Sequence, residues 1–218
     1  MSFRWKTGAT LFLVLLAGIG CSERSPNDPD GNGNGNTVKD APFWTKEGWA
    51  RYEREDYNGA RNAFSNALSK DSLYAPAHSG TAFTNIEFGF TGLALSQFEK
   101  GIALDSALVE CYYGAAYMAH TQAVAFPNLT VANLTKAAGY AEGGLARGGD
   151  AFEFEHHESV NARNLRVLLA RTYFALAQYE NAKENLDILD PNNGVLSSSA
   201  TYLQDLLLAI ENLEDVNR

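Results

Sequence analysis

From Val38 onward the apolar residues recur at three- and four-residue steps, the spacing that lines one face of an α-helix. The pattern breaks at Asp56–Tyr57, Asp71–Ser72, Phe90–Thr91 and Asp105–Ser106, where several Asp and Ser residues are placed to cap a following helix. No segment sustains the alternation that argues strands, so the body is predicted to be all-α. The breaks are themselves periodic. Residues 57–72 read YNGARNAFSNALSKDS, and 34 residues later 91–106 read TGLALSQFEKGIALDS. Without a gap, Ala60 falls on Ala94, Phe64 on Phe98, Leu68 on Ile102 and Asp71 on Asp105.

A helix pair repeated at 34 residues resembles the tetratricopeptide repeat. Repeat one carries Trp44, Gly48, Tyr57, Ala60, Phe64, Ala67, Leu68 and Asp71 at signature places; repeat two carries Ala82, Ala94, Phe98, Gly101, Ile102 and Asp105. Repeat four carries Leu169, Ala170, Tyr173, Tyr179, Ala182, Leu186 and Asp190–Pro191. Repeat three opens with Tyr112 and Ala116. It accepts Ala137, Ala141, Gly144 and Leu145 only after an insertion around AVAFPNLTV. The resemblance implies a right-handed superhelical solenoid of about four helix pairs, over about 41–74, 75–108, 109–154 and 160–192, in which stacking buries faces that no pair can bury alone. Residues 198–218 are expected to form a capping helix. Ser198 or Ser199 would start it, with Leu203, Leu206, Leu207 and Ile210 as its apolar stripe.

The N-terminus follows other rules. Arg4 and Lys6 precede an apolar run of 12 residues, Ala9–Gly20, too short to span a membrane, and Cys21 follows at once. The junction resembles a bacterial lipoprotein signal, although Gly18 stands where an aliphatic residue is usual. The resemblance implies cleavage after Gly20, lipidation of Cys21 and, with Ser22 next, residence in the outer membrane facing the periplasm. A plain secretory signal is the alternative. Ser22–Thr37 holds only Ser, Glu, Arg, Pro, Asn, Asp, Gly and Thr, and is expected to act as a flexible tether with a reach of roughly 20–25 Å.

Removing residues 1–20 takes the chain to 15 basic against 26 acidic residues and its formal charge from −9 to −11. That balance argues against nucleic acid and against electrostatic docking on anionic lipid, leaving the lipid anchor as the membrane contact. With Cys21 lipidated, Cys111 has no disulfide partner and is read as a packing thiol. The insert RGGDAFEFEHHESVNAR gathers Glu153, Glu155, His156, His157 and Glu158. Its spacing lacks the paired histidines of a metalloenzyme helix, so it is read as a solvated acidic loop. No cofactor, metal site or catalytic residue is assigned.

In the tetratricopeptide fold the first helix of each repeat lines a concave groove. The resemblance places Thr45, Trp49, Tyr52 and Glu53 there in repeat one, and Ser79, Phe83, Ile86 and Glu87 in repeat two. Repeat three supplies Glu110, Tyr113, Tyr117 and His120, and repeat four Val167, Arg171 and Phe174. Rings predominate, as in binding hot spots, and the cations that capture a peptide C-terminus are missing from Thr45, Trp49 and Glu53. The expected partner-binding set is Trp49, Tyr52, Phe83, Tyr113, Tyr117, His120, Arg171 and Phe174. These rings either stand open or pack against the tether, the insert or the terminal helix. The expected function is that of a non-enzymatic interaction module holding an unknown protein or peptide in the cell envelope. The alternatives are an envelope enzyme or metal-binding subunit using the insert, or a binder of a glycan or lipid.

Overall fold

The computed structural model describes residues 39–215. The leader, Cys21 and the tether lie outside the described residues, so the readings of them rest on sequence.

Nine α-helices occur among the described residues: α1 (Ala41–Tyr52), α2 (Tyr57–Lys70), α3 (Ala75–Glu87), α4 (Thr91–Leu104), α5 (Val109–Ala125), α6 (Thr130–Gly148), α7 (Ala162–Ala175), α8 (Tyr179–Leu189) and α9 (Tyr202–Asp215). A 3₁₀ turn, Pro127–Leu129, joins α5 to α6. Strand pairing among these residues is limited to one isolated antiparallel bridge between Glu153 and Asn161. Each helix packs on its neighbours in sequence, and α1, α3, α5 and α7 also touch in series. The product is an all-helical solenoid. None of its helices is long and apolar enough to cross a membrane.

The same turn closes the first helix in three of the four pairs. The backbone N–H groups of Asp56, Phe90 and Gln178 donate to the carbonyls of Arg51, Asn85 and Tyr173. Just before each donor, Glu55, Gly89 and Ala177 adopt φ of 62°, 75° and 58°. This is the left-handed helix stop that glycine adopts at no steric cost. Only repeat two places a glycine there.

The caps differ from the sequence expectation. Asp40, Asp56 and Asn161 do cap α1, α2 and α7. Asp71 and Asp105 instead close the preceding helices, and each accepts a backbone N–H two residues on, from Leu73 and Ala107, at 2.9 Å. Tyr74 and Leu108 occupy the N-cap places of α3 and α5 without a side-chain cap.

Phe64, Phe98 and Leu186 are fully buried between helix layers. Each phenylalanine lies against a glycine of the next repeat. A Cβ built on Gly80 would sit 2.1 Å from the Phe64 ring, and one on Gly114 would sit 2.2 Å from the Phe98 ring. The repeat thus extends to a close approach that only glycine permits. Cys111 is a buried free thiol, and burial raises its pKa, so it stays neutral. On α9 the buried stripe is Leu206, Ile210 and Leu213, while Leu203, Leu207 and Leu208 are exposed. The helix is rolled relative to the expected stripe: Leu206, Ile210 and Leu213, at i, i+4 and i+7, form the side buried where α9 packs on α7 and α8.

Candidate functional site

The first helices carry the predicted ring positions onto one face, and four of them are closed off. Trp49 and Phe83 are 5 % and 1 % exposed, and Tyr52 and Tyr113 are also buried. Tyr117, His120, Arg171 and Phe174 are half-buried. Of the arrangements left open by the sequence, the insert is the cover for Trp49, Tyr52 and Phe83.

The insert leaves α6 at Gly149, where φ is 66° and the space around the Cα is open. Its base is fastened to the start of α7. Phe154 N–H donates to the Val160 carbonyl and Ala162 N–H to the Phe152 carbonyl, both at 2.9 Å. Arg166 donates to Asp150, Asn164 to the Ser159 carbonyl, and Val160 is fully buried. Its tip crosses to the first two repeats. The His156 imidazole stacks on Trp49 at 4.5 Å between centroids and 9° between planes. Phe154 sits beside it, 5.3 Å edge-on from His156, 5.4 Å edge-on from Trp49 and 5.5 Å stacked on Phe83. His157 lies 6.1 Å from Phe83 and 6.4 Å from Tyr52. His156 Nδ1 donates to Glu53 Oε1 at 2.7 Å, across 103 residues of sequence.

This corrects the reading of the insert as a solvated loop. Its acids Glu153, Glu155 and Glu158 are exposed, whereas Phe152, Phe154, His156 and His157 are not. Residues 151–156 alternate exposed and covered one by one. That alternation, A-F-E-F-E-H, is written in the sequence and is the signal by which the plug could have been found. No group of three or more His, Cys, Asp or Glu side chains among the described residues is placed to hold a metal ion.

Burial sets the charge state of the face. The His157 imidazole is pushed down to about 4 by burial. His120, half-covered beside Thr172 at 3.0 Å, is likewise pushed down to about 4, by burial and then by the nearby Arg171 charge. Burial pushes the Glu110 carboxyl above the usual carboxylate range, and hydrogen bonding to it pulls it back in part. Glu87 is also raised by burial, against the hydrogen bond it accepts from Tyr52 at 2.7 Å. The site is therefore an aromatic hollow with carboxylates at its edge, which holds rings by stacking and an imidazole N–H by charge-assisted hydrogen bonding.

No family model matches the sequence. No curated protein matches it either. Among solved structures, the chain is similar to a thermophilic TPR protein of Thermus thermophilus, with a TM-score of 0.55 and 15 % sequence identity. The alignment covers 80 % of this chain and 85 % of that one. At that identity the likeness is one of fold: the chain is an all-helical solenoid built like a tetratricopeptide-repeat protein.

Proposed function

We propose that the chain is a non-enzymatic interaction module, lipidated at Cys21 and tethered in a bacterial cell envelope at the periplasmic face of the outer membrane. Its concave face holds a segment of a protein partner. One observation carries this reading: the face already takes up polypeptide, with His156 stacked on Trp49 and Phe154 edge-on to it. A surface that buries rings of a non-helical loop, and bonds an imidazole at its edge, has the chemistry to bind peptide side chains. The half-buried stretch at Tyr117, His120, Arg171 and Phe174 extends it.

Two experiments test the proposal. A photo-crosslinking amino acid at Tyr117 or Phe174 in living cells should give a discrete protein adduct. The same probe at Asn66, on the exposed side of α2, should not. No adduct from either concave position removes the assignment. Labelled palmitate should enter the wild type and not Cys21→Ser; equal labelling of both removes the anchor.

A further inference from the structure

We infer that the end of the α5–α6 hairpin is a membrane-contacting prong, which seats Val124, Phe126 and Val131 in the interface of a zwitterionic phospholipid bilayer. This surface is separate from the concave face. It adds a membrane contact to the one proposed at Cys21 and does not depend on it.

The hairpin is longer than its neighbours. Helix α5 has 17 residues and α6 has 19, whereas the helices of the other three pairs have 11 to 14. Gly48, Ala82 and Ala116 share one place in the repeat, so the residue of α5 that matches Tyr52, the last of α1, is His120. Helix α5 runs on beyond it to Ala125. Residues 124–128, at the turn, are all exposed. Val124, Phe126 and Val131 are 75 %, 53 % and 70 % exposed. On the same edge of the solenoid, where α3 turns into α4, Phe90 and Leu93 are exposed as well.

The chemistry of this end suits lipid. Residues 111–135 hold no Asp, Glu, Lys or Arg, although these make up 20 % of the chain. The corresponding turn of the first pair is Glu53, Arg54, Glu55 and Asp56, so the missing charge is particular to the third pair. The polar groups at the turn are met from within. Phe126 N–H donates to the Gln122 carbonyl at 2.9 Å, and the Thr130 hydroxyl lies 3.0 Å from both the Ala123 and the Pro127 carbonyl oxygens. Pro127 has no N–H to desolvate. An apolar medium penalises unpaired backbone groups, and here they are already paired. The end is also convex, with its apolar side chains directed outward, which fits insertion among lipid headgroups. The net charge of −9 opposes an anionic surface, so a zwitterionic one is the match. No described helix is long and apolar enough to cross a membrane, so the contact is shallow.

The test places a benzophenone amino acid at Phe126 of the full chain, or at exposed Asn66 as a control, and irradiates each with phosphatidylcholine vesicles. Any attachment through the leader or Cys21 brings both positions near the vesicle alike, so their ratio reads the prong. Phe126 should give about ten-fold more lipid adduct than Asn66, and V124S/V131S in the same chain should remove most of it. High salt should leave the adduct in place, because the contact is apolar. Equal lipid adducts at the two positions overturn the inference. So does an adduct of position 126 with protein alone, which would make the hairpin end a protein-docking surface. Hydrogen exchange on the unsubstituted chain gives a second reading. Vesicles should slow the amides of 124–131 about three-fold and leave those of 53–56 unmoved; unchanged rates at 124–131 overturn it.

Discussion

The two halves of the concave face are built from corresponding repeat positions and end in different states. In the first two repeats those positions hold Trp49, Tyr52 and Phe83, and the insert covers them. In the last two they hold Tyr113, which is buried, and Tyr117, His120, Arg171 and Phe174, which stay half-buried, with His120 bonded to Thr172. The difference follows from side-chain chemistry. A tryptophan, a tyrosine and a phenylalanine each bring about 150–250 Å² of surface, and covering apolar area is favourable by about 25 cal/mol per Å². In the second half the His120 imidazole meets the Thr172 hydroxyl at 3.0 Å, and no loop is seen to stack on these side chains among the described residues.

The largest expected effect tests whether closure makes the first half part of the core. Phe83 touches the rings of Phe98 at 5.1 Å, Phe154 at 5.5 Å and Trp49 at 5.7 Å. Phe83→Ala should destabilise by about 3–5 kcal/mol in urea unfolding, the usual cost of emptying a buried phenylalanine site. Phe174→Ala, in the open half, should cost well under half as much. Equal losses would mean that the two halves are packed alike.

Acid should weaken both halves through a shared device. His157 in the first and His120 in the second are held near 4, against 6.5 for the free side chain. Between those values the unfolded chain takes up protons that the folded chain refuses. Stability is therefore complete above pH 6.5 and falls as pH drops toward 4, by on the order of 1.4 kcal/mol per pH unit for each histidine. Glu87 and Glu110, raised by burial, protonate more readily when folded and offset part of the loss at the acid end. Thermal melts from pH 7.5 to 5 should show the decline in wild type, and half the slope in His157→Gln. An unchanged slope would show that His157 is not buried as a neutral group.

The solenoid was legible in the sequence because its period is local. Phe64 and Phe98 fall 34 residues apart, and the small residues that admit them fall in step. The stripe on α9 was less legible, since leucines at 203, 206, 207 and 208 surround the helix and leave its rotation undetermined until a neighbour selects Leu206, Ile210 and Leu213. That Trp49, Tyr52 and Phe83 meet one another follows from the same spacing, but their cover does not. The bond between His156 and Glu53 joins residues 103 apart, and no local pattern encodes which hollow a loop will enter. What the chain does encode is that Phe152, Phe154 and His156 share one side of the insert.

The helix stops offer a smaller test of how closely the repeats match. Ala177, between α7 and α8 below the open half, adopts φ of 58° where repeat two uses Gly89. Ala177→Gly should stabilise by about 1 kcal/mol in urea unfolding, since a non-glycine residue in that region costs about 1–2 kcal/mol and added chain entropy returns part of the gain. A loss instead would mean that the Ala177 methyl group makes a contact outweighing the backbone relief.

The smallest expected effect carries the most information about the plug. The Glu53 carboxylate is 50 % exposed, and its bond to His156 is the side-chain tie between the insert tip and α1. Glu53→Ala should lower global stability by only about 0.2–1 kcal/mol, as for exposed ion pairs in general. Its local consequence should be larger if the insert, which meets the first two repeats through side chains, opens apart from the helices. Hydrogen exchange should speed at Phe154 and His157 while the amides of α7 and α8 keep their rates. If Glu53→Ala instead cost as much as Phe83→Ala and sped exchange everywhere, the tip and the helices would open as one unit. The closed half of the face would then be core in the full sense, and the contrast between the halves would be one of composition without any difference in access.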